Sequence, residues 1–177
     1  VPTPVAIQPS PNLLIDLPAN EGDGLSLFDA SGHQNSAKLH GVTWTRSGNR
    51  AVLHFENGAA AFIPNLSPEL KHGKDGYPRD SVTLEAWVCP TAGKGGGVII
   101  GFLGSPQLSL TPHGKDKFKA VFTVTMLKTA YMNVTSVHSS PADQWSHVAG
   151  TMSADGVLRI YVNGKPDGEK KLESNKI

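Results

Sequence analysis

Two short segments hold the side chains best suited to chemistry on a ligand. In residues 82–88, Glu85 and Trp87 alternate with Val82, Leu84, Ala86 and Val88; in residues 157–162, Arg159 and Tyr161 alternate with Leu158, Ile160 and Val162. Successive side chains of a strand point to opposite faces, so each segment buries its aliphatic row and presents the other. Two such strands in one sheet would gather Glu85, Trp87, Arg159 and Tyr161 on one exposed surface. Aromatic rings offer a flat apolar face to the C–H groups of a sugar, and charged side chains hydrogen-bond its hydroxyls. The polar loop at 71–80 adds Tyr77, and the tip at 113–117 is similarly polar; binding residues concentrate on such loops. Trp87, Glu85, Tyr161, Arg159 and Tyr77 are therefore the candidate ligand-binding residues. The same face also admits an architectural reading, with Trp87 packed and Arg159 joined to Glu85 as a cross-strand ion pair. The two loops read equally as solvated connections.

Other chemistries find less support. There is no His-Glu-x-x-His helix, no Gly-x-Ser-x-Gly elbow and no pair of cysteines. The single cysteine, Cys89, excludes an internal disulfide and is expected to act as a small hydrophobe at a buried strand end. The glycine-rich run at 93–97 lacks the Lys-Ser/Thr ending and following helix of a phosphate cradle, which leaves a hairpin loop. His147 falls in a strand, where a buried, hydrogen-bonded role is expected. His72 and His113 fall in loops with nothing at ligand spacing beside them. Sixteen Lys+Arg nearly cancel fifteen Asp+Glu, which gives no reason to expect nucleic acid or an anionic membrane as partner. No apolar run is long enough to span a bilayer, so no membrane insertion is expected.

The elements that must position these groups read as strands throughout. Short apolar runs at 13–17, 37–40, 42–45, 51–55, 59–63, 82–88, 97–103, 107–111, 118–125, 130–138, 147–152 and 157–163 are separated by turn residues. Asn163-Gly164 and Asp155-Gly156 supply the positive φ angles of tight hairpins. No helical period is sustained over three turns, so the chain reads as an all-β sandwich or barrel. Pro2, Pro4, Pro9 and Pro11 make residues 1–12 an extended arm or linker, and residues 13–177 read as one domain. The start at Val1 reads as a mature product or an excised module.

In this order the motifs resemble the bacterial laminin G-like domains of the concanavalin A-like lectin/glucanase superfamily. An Asp-x-Ser-Gly-x-x-Asn turn stands at Asp29 to Asn35, followed by Leu39, Gly41 and Trp44. Then come Leu53-His54-Phe55, Gly58 and Phe62-Ile63-Pro64, and Thr83-Leu84-Glu85-Ala86-Trp87-Val88 with Pro90. Last are Trp145 to Thr151 and Leu158 to Gly164. The resemblance implies an antiparallel jelly-roll β-sandwich. In the family the Asn-Gly hairpin is followed by two more strands; nothing of that pattern is legible after Gly164, so the fold is expected to lack its C-terminal strands. A second chain or segment supplying them is one expected partner, because an unpaired edge invites association.

Many members of the family hold a structural Ca²⁺ with loop carboxylates and carbonyls. The resemblance implies such an ion here, with Asp16, Asp23 and Asp29 as its oxygen ligands. Turn capping is the other reading of those aspartates, and the acidic pair usual after the second glycine turn is replaced by Asn57-Gly58-Ala59-Ala60. Glucanases of the superfamily carry Glu-x-Asp-x-x-Glu on a strand, two carboxylates serving as nucleophile and acid/base. Here Glu21-Gly22-Asp23-Gly24-Leu25-Ser26 lacks the last carboxylate, and its glycines suit a turn. The resemblance thus implies a non-catalytic carbohydrate- or glycoconjugate-binding module of a larger secreted, extracellular or cell-surface protein, with a glycan or glycoprotein as partner. A structural or protein–protein adhesion module is the second reading, and a polysaccharide-degrading enzyme the third. The sequons at Asn65 and Asn133 are expected to stay unmodified.

Overall fold

The computed structural model describes residues 12–56, 58–67, 81–102, 106–126 and 130–171. Among these residues every regular element is a strand: β1 Ser26–Leu27, β2 Ala37–His40, β3 Thr43–Ser47, β4 Arg50–His54, β5 Ala60–Phe62, β6 Val82–Val88, β7 Gly97–Gly101, β8 Gln107–Pro112, β9 Lys117–Met126, β10 Ala130–Thr135, β11 Ser140–Pro141, β12 Ser146–Met152, β13 Val157–Val162 and β14 Lys165–Lys171. All pairings are antiparallel, as the strand and turn pattern predicts. The chain divides into two compact units, residues 1–76 and 77–177.

In the first unit β1, β2 and β5 form one sheet and β3 pairs with β4. Leu27, Ala37, Leu39 and Val42 form its buried centre, with Leu17, Trp44, Leu53 and Ile63 packed against them. Residues 13–17, expected as the first strand, are not one. Their backbone is satisfied by side chains instead: Ser31 Oγ and Asn35 Nδ2 both donate to the Leu14 carbonyl, and the Asp16 N–H donates to Asp29. Side-chain bonds of this kind occupy backbone groups that a ladder would otherwise pair.

The second unit is a sandwich of two sheets. One runs β14-β13-β12-β6; the other runs β10-β9-β8-β7, with β11 pairing β9. Leu84, Val148, Leu158 and Ile160 from the first sheet meet Leu108, Phe118, Phe122, Val124 and Val134 from the second. Phe122 reaches the far sheet because Gly150 opposite has no side chain: a Cβ there would lie 2.3 Å from the Phe122 ring.

Several sequence expectations need correction. Strand β14 continues the sheet past the Asn163-Gly164 turn, whose positive φ angles of 50° and 75° match the twist of a two-residue hairpin. It escaped the pattern because Lys165-Pro166-Asp167-Gly168-Glu169-Lys170-Lys171 has no apolar alternation, which is how an edge strand is kept from open pairing. The glycine-rich run is no hairpin: it carries the chain from β6 in one sheet to β7 in the other. Strand β10 stops at Thr135, where Ser136 Oγ turns the chain by accepting from the Ala120 N–H and donating to the His138 carbonyl. Cys89 is exposed, because it follows inward-facing Val88 at the end of β6. Partial desolvation and the nearby Asp143 carboxylate push its thiol up, away from the reactive thiolate. No helix among the described residues is long and apolar enough to cross a membrane.

Candidate functional site

The pairing register decides which sequence-predicted residues meet. Ala149 of β12 lies opposite Glu85 on one side and Tyr161 on the other; His147 lies opposite Trp87, and Thr151 opposite both Thr83 and Arg159. Directly opposed residues share a face. Val82, Leu84 and Val88 of β6 and Leu158, Ile160 and Val162 of β13 pack into the core, so Glu85, Trp87, Arg159 and Tyr161 all point outward. Four of the five predicted ligand residues therefore stand on one sheet face. The fifth, Tyr77, lies outside the described residues.

Ala149 is buried although its strand face is outward, because taller neighbours flank it. It floors a dip between Glu85 and Tyr161, whose strands are two spacings, or about 10 Å, apart. Trp87 borders this dip and is not packed away: it is 66% exposed. Its ring sits 5.4 Å from the His147 ring at 55°. His147 Nε2 also stands 3.6 Å from Glu85 Oε2. His147 is the residue that sequence reasoning missed. Its signal was parity, since Val148 belongs to the aliphatic row and its neighbour must face the other way.

The architectural ion pair between Arg159 and Glu85 does not form. Strand β12 separates their strands, and Arg159 Nε instead binds Glu169 Oε2 at 2.7 Å, its direct neighbour on β14. Arg159, Tyr161, Pro166, Asp167 and Glu169 line an open groove of about 350 Å³ with Val137 and His138. A register shift in the β13–β14 pairing next to Tyr161 brings Asp167 into this groove. There Asp167 Oδ1 lies 2.6 Å from His138 Nδ1, and its main-chain carbonyl accepts from the Val137 N–H. Both groove carboxylates are thus engaged, Asp167 by His138 and Glu169 by Arg159. They follow one another on a single strand and do not oppose each other as a hydrolytic pair needs.

Asp29, one of the three residues proposed for calcium, ties together the turns of the first unit through its carboxylate. Asp29 Oδ1 accepts the Asp16 and Ser31 N–H groups, and Oδ2 accepts Ser31 Oγ and the Asn35 N–H. Burial acts to raise its pKa, but the hydrogen bonds from Asp16, Ser31 and Asn35 outweigh this and hold it below the ordinary value of 3.8. With two donors on each oxygen, the carboxylate does not fit a side-chain role toward a cation. No group of three or more His, Cys, Asp or Glu side chains gathers among the described residues at metal-holding spacing. Glu21 accepts the Phe28 N–H, and Gly22 and Gly24 take positive φ, so the Glu21-Asp23 segment is a turn.

Comparison with known proteins bears on fold and family. The family model for the concanavalin A-like lectin/glucanases superfamily matches residues 55–177. No curated protein sequence matches the chain. A crystal structure described as HCR/D-Sa-GBL1/C superposes with a TM-score of 0.65 at 15% identity, covering 92% of this chain and 40% of that one. The binding domain of botulinum neurotoxin DC in complex with rat synaptotagmin II gives 0.55 at 13% identity, covering 90% and 40%. A structure of botulinum neurotoxin type C, described as dependent for cell entry on interaction with two ganglioside molecules, gives 0.52 at 14%, covering 88% and 40%. The chain spans about 40% of the length of these solved chains.

Proposed function

From a chain that belongs to the concanavalin A-like lectin/glucanases superfamily, we propose a non-catalytic module that binds a carbohydrate or glycoconjugate on the outward face of the β14-β13-β12-β6 sheet. The observation that carries the reading is Trp87: a large ring, 66% exposed on a sheet face, beside a dip floored by Ala149. Burying such a ring in the core would have been favourable by about 2–3 kcal/mol, so its exposure calls for a use. A sugar ring stacked on Trp87 would set its hydroxyls over Ala149, within reach of Glu85, His147 and Tyr161. The groove beside Tyr161 and Arg159 would extend the same chain by a further unit. Because Arg159 is already paired with Glu169, the face offers hydrogen bonds without an unpaired guanidinium.

The solved neighbours support binding in general. One binding domain was captured with rat synaptotagmin II, and another neighbour is described through two ganglioside molecules. A larger secreted or cell-surface parent protein fits that company and is part of the proposal. The test is a glycan array probed with the folded chain, the Trp87→Ala variant and the Tyr161→Ala variant. Stacking is worth about 0.5–1.5 kcal/mol beyond area burial, so Trp87→Ala should weaken retention by roughly two- to tenfold with an unchanged melting temperature. Silence of the wild-type chain across a broad array would sink the reading.

A further inference from the structure

The histidine of the Trp87 face is held differently from the one that lines the groove beside it. The His147 main chain is fixed by the hairpin turn: its N–H donates to Asn163 Oδ1 at 2.9 Å, and its carbonyl accepts from the Asn163 N–H at 2.8 Å. Only 23% of its side chain is exposed, against 62% for Glu85. Nε2 stands 3.6 Å from Glu85 Oε2, longer than a formed hydrogen bond. The neutral imidazole therefore leaves the Glu85 carboxylate uncommitted. From β6 the ring also meets Trp87, 5.4 Å away between centroids. From β13 it meets the uncharged Asn163, with Tyr161 at the diagonal position, and the next outward residue on its own strand is Ala149. Among the described residues, Glu85 is thus the charged group that faces His147. His138 is the contrary case. Its Nδ1 lies 2.6 Å from Asp167 Oδ1, on a side chain only 9% exposed, so that pair is already closed.

We propose that His147 is a pH gate on this face, so that the module holds its ligand more tightly near neutral pH than in mild acid; the proposal rests on the carbohydrate reading above. A histidine ring changes charge between about pH 5 and 8, and the two states offer a ligand different surfaces. With the ring neutral, Glu85 is a full acceptor for sugar hydroxyls set over Ala149. Protonation makes Nε2 a charged donor. A small turn of either side chain then closes the 3.6 Å gap to a charge-assisted hydrogen bond of about 2.8 Å. A sugar hydroxyl must break that ion pair to reach Glu85. The same charge draws the Trp87 ring toward His147, since the 5.4 Å centroid separation lies within the roughly 6 Å over which cation–π attraction acts. Ring surface is thereby taken from the sugar, and both consequences oppose binding. Because both side chains keep contact with water, the ion pair is worth little, and the expected loss is about two- to fivefold rather than complete release.

Two measurements on the full chain test it. The first needs no ligand: Trp87 emission, taken as the difference between wild type and Trp87→Phe, is followed from pH 8 to pH 5. An imidazolium this close quenches indole fluorescence, so the emission should fall in one step toward acid, and the step should be absent in His147→Gln. The second is the glycan array probed at pH 7.5 and at pH 5.5, with circular dichroism at both values to hold the fold constant. Wild type should lose about two- to fivefold in retention at the lower pH, whereas His147→Gln and Glu85→Gln should each show a ratio near one. An array silent at both values sinks the carbohydrate reading and the gate with it. Equal retention by wild type at both values overturns the gate alone. So does a pH dependence that survives His147→Gln or vanishes in His138→Gln, or Trp87 emission without an acid step.

Discussion

Gly150→Ala adds one methyl group where the two sheets of residues 77–177 meet. Gly150 sits on β12 between Leu84 and Ile160. An added Cβ would stand 2.3, 2.4 and 2.7 Å from Cδ2, Cγ and Cβ of Phe122. Phe122 is fully buried and enclosed with Leu108 and Val134, so its ring has no open space to turn into. Overpacking of a tight core costs about 1–3 kcal/mol, and a contact this short places the change at the upper end, about 3 kcal/mol. For a chain of this size that lowers the melting temperature by roughly 6–12 °C. Phe122→Leu removes the ring at a smaller cost, about 1–2 kcal/mol. Because the two changes relieve each other, the double variant should be more stable than the sum of the singles by about 1–2 kcal/mol. Urea unfolding of the four proteins measures the cycle. Gly150→Ala within 0.5 kcal/mol of wild type, the range of an ordinary surface change, or strictly additive losses, would refute the packing and with it the outward parity of His147 and Ala149.

The turn around Asp29 gives a pH test. Its folded pKa lies below the ordinary 3.8, so its contribution is fully present above the unfolded value and is lost as pH falls through the folded one. Asp29→Asn removes two of the four accepted hydrogen bonds, should cost about 1–2 kcal/mol at pH 7, and should flatten the acid limb of stability measured from pH 6 to pH 2. Chelator should leave the melting temperature and glycan retention of the wild type unchanged, since the Asp29 oxygens are engaged by the chain; a drop in EDTA restored by calcium would return Asp16 and Asp23 to a ligand role. Gly164→Ala places a side chain at φ +75° and should cost about 1 kcal/mol, read as a lower urea midpoint with the β13–β14 amides losing exchange protection first.

Strands with clean alternation were legible, and irregular ones were not. Val82–Val88 shows its faces because its aliphatic residues and Glu85 and Trp87 alternate strictly. Residues 13–17 have the same apolar look, yet the side chains of Asp29, Ser31 and Asn35 bind their backbone, and those partners come from residues well along the chain. Strand β14 was invisible for the opposite reason: its residues are charged, and only the geometry of the preceding Asn163-Gly164 turn drives it back onto β13. For the candidate site, the outward identity of Glu85, Trp87, Arg159 and Tyr161 followed from period two, but the order of the strands did not. Alternation cannot tell that β12 lies between β6 and β13. That missing fact moved Arg159 from Glu85 to Glu169 and admitted His147.

The outward faces of both sheets trace to two adjacent small residues on β12. Gly150 lets Phe122 of β9 cross to the opposite sheet, and a strand that turns Phe122 inward must turn Thr123 outward. The same strand logic on β12 puts Ala149 outward once Gly150 is inward. One close approach between the sheets therefore fixes the parity of the Trp87 face and of the outer face of β9 together. The side chain missing at Gly150 makes the sandwich thin at that point, while the short one at Ala149 leaves the dip beside Trp87. A larger residue at 149 would fill that dip without disturbing the core, whereas one at 150 would push the sheets apart. The shape of the proposed site and the packing of the core are thus separable at neighbouring positions, one facing water and the other facing Phe122.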